Sequence, residues 1–249
     1  MKTTKSRGAA GAILLAALAL LFSGCIHAAF FTERGSGRVI TEPRHVPDFR
    51  SVSLSGMGTI LITQGPTPAL EIEAEDNVMP LLRTEVRNGA LNLWFRRQLR
   101  RRKIVPTKEI VFHITAPDIQ AVEISGAGKL KCKALKTKAL KIDLSGAAVV
   151  DMGLDTGALD LDAAGASKII LRGRADRQTV DMSGSGAYLA RDLEGQTATL
   201  TISGAGRAEV NVTRALDVAL SGAGAVLYRG DPHITPEISG AGKIARLQE

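Results

Sequence analysis

Aromatic side chains are scarce in this chain. One Trp, two Tyr and six Phe occur among 249 residues, which excludes a thick aromatic-rich core. Cysteine is scarcer still. Only Cys25 and Cys132 are present, so no disulfide framework can hold the fold and stability must come from packing. The four histidines, His27, His45, His113 and His233, lie far apart, without the H-x-x-x-H or C-x-x-C spacing of a zinc site. His113, on an otherwise apolar stretch, reads as structural. A G-x-S-x-G elbow is missing as well, which removes the usual setting of a serine nucleophile.

Glycine is plentiful, at 26 residues. The glycines fall at fixed places between Val, Ile and Leu, a pattern of order rather than of disorder. Charge is unevenly spread. Residues 26–141 hold 19 Lys plus Arg against 11 acids, a net +8, and residues 142–249 hold 10 against 14, a net −4. Such polarity can steer a domain toward anionic material, although solvated faces produce it too.

The first 25 residues read as an export leader. Lys2, Lys5 and Arg7 precede an uncharged apolar run from Ala9 to Phe22, and FSGC follows at 22–25. LLFSGC resembles the bacterial lipobox, with Phe22 where that pattern usually has Leu. The resemblance makes Cys25 the lipidated first residue of the mature chain. Ile26, in place of an Asp retention signal, implies the outer membrane. An uncleaved anchor and ordinary secretion are the alternatives. Residues 26–47 show no period and are expected to form a tether.

The dominant signal is a repeat. Ser125, Ser145, Ala164, Ser183, Ser203, Ser221 and Ser239 stand in one column, with steps of 20, 19, 19, 20, 18 and 18 residues. Apolar residues fall one and three places before this column and five and seven places after it. These are period-two runs too short for helices. Strand, small-residue corner, strand at a constant repeat predicts an all-β, single-stranded right-handed parallel β-helix with coils of 18–20 residues. SGAG is the corner, where Gly accepts positive φ and small neighbours let coils stack closely. SVSLSGMGTILIT at 51–63 has the same phrasing and is a first coil, so the domain spans 48–249. Residues 64–116 read as an insertion or N-terminal β subdomain, with strands at 69–75, 89–95 and 109–115 and a short helical turn within 77–87.

Two features invite a functional reading. Glu123, Asp143, Asp162 and Asp181 form an outward acid column two places before the Ser column. Three successive Asp are a candidate cation site or a set of paired carboxylates, but the D-x-D-x-D loop of a calcium site is missing. The bland reading is a solvated ladder, so no metal and no cofactor is implied. Second, RRQLRRRK at 96–103 places Arg96, Arg97, Arg100, Arg101, Arg102 and Lys103 beside Trp94. This segment is a candidate contact for anionic lipid or glycan; export argues against nucleic acid. Cys132 shares a column with Met152, Leu171 and Val210, and is expected to be a buried, reduced core thiol.

Taken together, the exported N-terminus, the F-x-x-V-x-L-S-G-x-G first coil from Phe49 and TAPDIQAVEISGAGKL feeding repeated SGAG coils resemble the putative auto-transporter adhesin, head GIN domain family. The resemblance runs from Phe49 to about Arg246. It implies a right-handed β-helix in a bacterial envelope, often on a lipoprotein, and carries no catalytic residues. The expected function is a lipid-anchored, noncatalytic envelope module, adhesion-like, that contacts a surface glycan, lipid or protein. A carbohydrate-active β-helix enzyme is the alternative.

Overall fold

The computed structural model describes residues 31–96 and 102–247. Two short strands, β1 (Phe31–Arg34) and β2 (Val39–Arg44), precede the long β3 (Ser51–Gln64). Next come β4 (Ala69–Glu75), a 3₁₀ turn at Met79–Leu81, β5 (Leu82–Arg87), β6 (Ala90–Phe95), β7 (Arg102–Val105) and β8 (Val111–Ala116). The repeat follows as β9 (Ala121–Gly146), β10 (Val149–Gly165), β11 (Lys168–Gly184), β12 (Ala187–Gly204) and β13 (Arg207–Gly222). It finishes with β14 (Ala225–Arg229), β15 (His233–Gly240) and β16 (Lys243–Arg246). β1 and β7 pair with each other in a separate two-stranded ladder.

The repeat builds a β-solenoid of about six turns. β9 to β13 pair in parallel, each with the next, and each long strand bends around one coil. Alternation turns the apolar columns inward. Ile142, Leu161, Leu200, Leu130, Val150 and Ile169 are all fully buried, and a buried aliphatic side chain of this size contributes about 1.5–3 kcal/mol. Cys132 belongs to the same core, 6% exposed and free. Burial pushes its thiol above the ordinary range, only partly offset by the Ala134 backbone N–H. That is the reverse of what a reactive thiolate needs.

The corners explain the recurring glycine. Gly146, Gly165 and Gly184 stack with φ of +119°, +111° and +110°. A Cβ on Gly165 would lie only 2.4 Å from the carbonyl oxygen of Gly146 in the coil below. A side chain is therefore excluded twice, by the backbone angle and by the neighbouring coil. Backbone hydrogen bonds carry the ladder through these corners, as from Ala166 N to Gly146 O at 2.9 Å and Ser185 N to Gly165 O at 3.0 Å. The unequal repeat lengths are absorbed elsewhere. Register is unbroken between β10 and β11, and it slips at Met152/Leu154, at Ile170/Arg172 and on both sides of Glu194–Gly195. Extra residues become bulges at the second bend, and the SGAG corner keeps its place.

The N-terminal half differs from the sequence reading in three places. Residues 64–116 do not simply loop out between coils. β6 pairs in parallel with the first part of β3 and β8 with its second part, while β9 covers the opposite edge. The excursion thus supplies the coil on the far side of β3, and the coil that is first in sequence lies second in the stack. In addition, part of the expected tether is sheet: β2 pairs antiparallel with β4, which pairs antiparallel with β8. The helical turn expected within 77–87 is confined to Met79–Leu81. Residues 82–87 form a strand against β6.

Glu75 ties this half together. It is 1% exposed and accepts hydrogen bonds from Gly37 N and Thr107 N, both at 2.7 Å, from Lys108 N at 3.2 Å and from the Thr107 hydroxyl. Burial alone would raise its pKa. The bonds from Thr107, Gly37 and Lys108 outweigh burial and hold it at about 2, below the ordinary 4.5. Period reading has no access to such a residue.

Candidate functional site

The first strand of each coil presents one continuous outward face. Asp143, Asp162 and Asp181 are in register on β9, β10 and β11, one strand spacing of ~4.8 Å apart. With Glu123, Ser145 and Ser183 they line a shallow groove of about 210 Å³. Lys141 is the cation beside them, with Nζ 3.2 Å from Asp143 and 3.9 Å from Asp162. The Asp162 carboxyl is raised above its ordinary range by desolvation, then by the negative charges of Asp143 and Asp160. Among the described residues no group of three or more His, Cys, Asp or Glu side chains has the geometry to hold a metal ion.

Elsewhere the charges alternate from coil to coil. Lys136, Asp155, Arg174 and Glu194 occupy one register line, and Lys136 pairs with Asp155 at 3.3 Å. Opposite charges at strand spacing stabilise each other, and like charges do not. The acid column departs from this pattern, with like charges on three successive coils.

Trp94 lies at the N-terminal end of the same face. β6 places it in register with Ser55 on one side and Arg83 on the other. Two residues before it, Asn92 is in register with Ser53 and Glu85. Trp94, Asn92, Ser53, Ser55, Glu85 and Arg87 border a groove of about 410 Å³. Arg87 and Glu85 are ion-paired at 3.0 Å, and Ser53 donates to Glu123 at 3.1 Å, which links this groove to the acid column. Sequence reasoning singled out Trp94 but not its neighbours, because the 90–95 coil lacks the SGAG phrase. The one available signal was Ser53, two places before Ser55 and thus in the acid register.

The remaining sequence-derived sites fall partly outside the description. Cys25, Arg97, Arg100 and Arg101 lie outside the described residues. Arg102 and Lys103 belong to β7. Arg96 is exposed, directly after β6, and its backbone N–H bonds to Leu81 O at 2.7 Å. His113 Nε2 stands 3.1 Å from Glu73. It borders a third groove of about 830 Å³ with Gln64, Lys131, Lys133, Arg172 and the edge of Cys132. Gln64 there works as a surrogate strand. Its Nε2 donates to Lys136 O at 2.8 Å, and its Oε1 accepts from Lys136 N at 3.0 Å.

These features define a parallel β-solenoid whose coils are closed by stacked glycine corners and whose outward faces carry repeated polar columns. The family described as "Putative auto-transporter adhesin, head GIN domain" matches residues 48–232, and the chain belongs to it. The fold is similar to the crystal structure of a putative adhesin from Bacteroides fragilis. That likeness has a TM-score of 0.81 at 26% identity and covers 86% of this chain and 99% of the other. A putative adhesin from Parabacteroides merdae is similar at TM-score 0.69 and 18% identity, over 87% and 99% of the two chains. A putative lipid binding protein from Parabacteroides distasonis is similar at 0.63 and 20%, over 87% and 100%. No functionally curated protein matches the chain. Among the described residues no helix is long and apolar enough to cross a membrane.

Proposed function

We propose that this chain is a noncatalytic envelope module, tethered by lipid at Cys25, whose solenoid binds another component of the cell surface. The observation that carries this reading is the sameness of the outward columns. An enzyme needs one distinct set of acid, base and substrate cleft, whereas Asp143, Asp162 and Asp181 recur at one register position on successive coils. The names of the similar folds, adhesin and lipid binding protein, share the sense of attachment without chemistry. The outer membrane follows from Ile26 after the lipobox-like FSGC, and acylation would add about 0.8 kcal/mol per buried CH₂ to membrane attachment.

Metabolic palmitate labelling tests the anchor: the wild type should incorporate label and Cys25→Ala should not. Label on neither overturns it. Residues 96–103 are the part of this proposal that meets anionic lipid or glycan. Replacing Arg100, Arg101 and Arg102 with Gln should weaken liposome or lipopolysaccharide binding, most at ~0.05 M salt where screening is least. Glycan turnover by the wild type that Asp162→Asn abolishes would establish an enzyme instead.

A further inference from the structure

Trp94 is the only tryptophan in the chain, and it is placed half-buried on an outward sheet face rather than in the core. Its surroundings combine donors and acceptors. Asn92 Nδ2 donates to Ala90 O at 3.0 Å and to Glu85 O at 3.4 Å, while its Oδ1 accepts no hydrogen bond among the described residues. The Arg87–Glu85 pair holds a guanidinium and a carboxylate at the same edge. Ser55 is exposed and its hydroxyl has no hydrogen-bond partner among the described residues. An indole face flanked by carboxamide, carboxylate, guanidinium and hydroxyl groups suits a pyranose ring. Such a ring has an apolar C–H face and a rim of hydroxyls that both donate and accept.

The Trp94 groove and the acid channel are neighbours on one register line. Asn92 pairs with Ser53 and Ser53 with Glu123, and the Ser53–Glu123 bond joins the border of the first to the channel of Asp143, Asp162, Asp181, Ser145 and Ser183. There the carboxylates repeat at ~4.8 Å, close to the advance per residue of an extended β-linked hexose chain, and the hydroxyls of Ser145 and Ser183 stand on either side of Ala164. Carboxylates are strong acceptors for sugar hydroxyls, and four of them in line repel an anionic polymer. We infer that this face binds an extended β-linked glycan free of anionic groups, with one ring stacked on Trp94 and the following rings along the Ser and Asp columns. This inference rests on the binding-module reading but not on residues 96–103, which carry the opposite charge and a different ligand.

The single tryptophan makes the test direct, because any change in its emission reports on this groove. The full chain is titrated with cellohexaose, chitohexaose and an oligogalacturonate of equal length. Saturable changes in emission are expected with a neutral hexamer, at least about tenfold tighter than with its dimer, a step of about 1.4 kcal/mol, and none with oligogalacturonate. Asn92→Ala and the exposed Ser55→Ala should each weaken hexamer and dimer binding. The double variant Asp143→Asn/Asp162→Asn should remove the hexamer's advantage and leave dimer binding intact. Equal or tighter binding of oligogalacturonate, or hexamer binding unaffected by Asn92→Ala and Ser55→Ala, overturns the inference. Hexamer binding by calorimetry with unchanged emission also overturns this placement, while leaving the chain a glycan-binding module. Absence of sugar binding overturns the glycan assignment, and the liposome and lipopolysaccharide assay then tests the wider reading separately.

Discussion

The coils from Lys129 to Gly240 and the stretch from Arg34 to Ala116 are both sheet, yet different interactions hold them. In the coils the core residues and the corner glycines have neighbours like themselves above and below, so order accumulates from many equivalent small terms. Val150 rests on Leu130 and under Ile169, and Gly165 rests on Gly146. In the N-terminal stretch only β3 carries the repeat phrase. Antiparallel β2, β4 and β8 meet parallel β3 and β6, and a single carboxylate, Glu75, fastens residues 37, 107 and 108. The first design spreads its stability evenly. The second concentrates it.

Substitutions at glycine should show the largest contrast. Gly165→Ala forces a Cβ against the coil below at φ +111°, and the combined strain and overpacking should cost about 3–5 kcal/mol in chemical denaturation. Gly89→Ala, at φ +74° in the β5–β6 turn with open space around it, should cost only about 1–2 kcal/mol. Equal losses at the two sites would mean that the corner stack is not what distinguishes the coils.

Removing the Glu75 side chain takes the charged acceptor from three part-buried backbone N–H groups, so Glu75→Ala should lose about 2–4 kcal/mol. Its folded pKa is depressed, to about 2 from 4.5. The linked stabilisation is therefore full above pH ~4.5 and disappears as pH falls through ~2. Acid melts of wild type and Glu75→Gln should converge over that window. Parallel curves across it would show that Glu75 does not carry the acid sensitivity of this half.

A smaller effect belongs to a polar pair inside the coils. Tyr188 is fully buried and donates to Gln178 Oε1 at 2.9 Å, and the Gln178 amide nitrogen has no partner among the described residues. Tyr188→Phe leaves the whole carboxamide unpaired and should cost about 1–2 kcal/mol in thermal or chemical unfolding. No loss would show that the core tolerates an unsatisfied amide at this coil. The smallest change, and the only gain, is expected on the acid column. Asp162→Asn relieves repulsion between exposed like charges and should stabilise the protein by about 0.2–1 kcal/mol at low salt, a gain that disappears on adding salt. A loss instead would mean that the ladder is held by something other than its own packing.

Much of the repeating half was legible in advance. The Ser column, the apolar columns on either side and the outward acids all have the register read from spacing alone, and Cys132 lies in the core as its column required. The candidate face was legible only in part. Asp143, Asp162 and Asp181 were found, whereas Asn92, Glu85 and Arg87 were not, because nothing in their local sequence says which strand they face.

That division has a physical origin. A solenoid coil meets its nearest neighbour about 20 residues away, at a constant offset, so side-chain alternation and glycine position encode both the coil and its contacts. By itself the sequence therefore determined the period, the inward and outward columns and the corner glycines. The tertiary structure decided the rest: the placing of β6 and β8 against the far edge of β3, the recruitment of 39–44 into the sheet, the burial of Glu75 and the joining of Trp94 to the acid column. Each of these depends on a pairing at a sequence separation that occurs once, such as Ser53 with Asn92 or Glu75 with Thr107. A contact made once leaves no period to read.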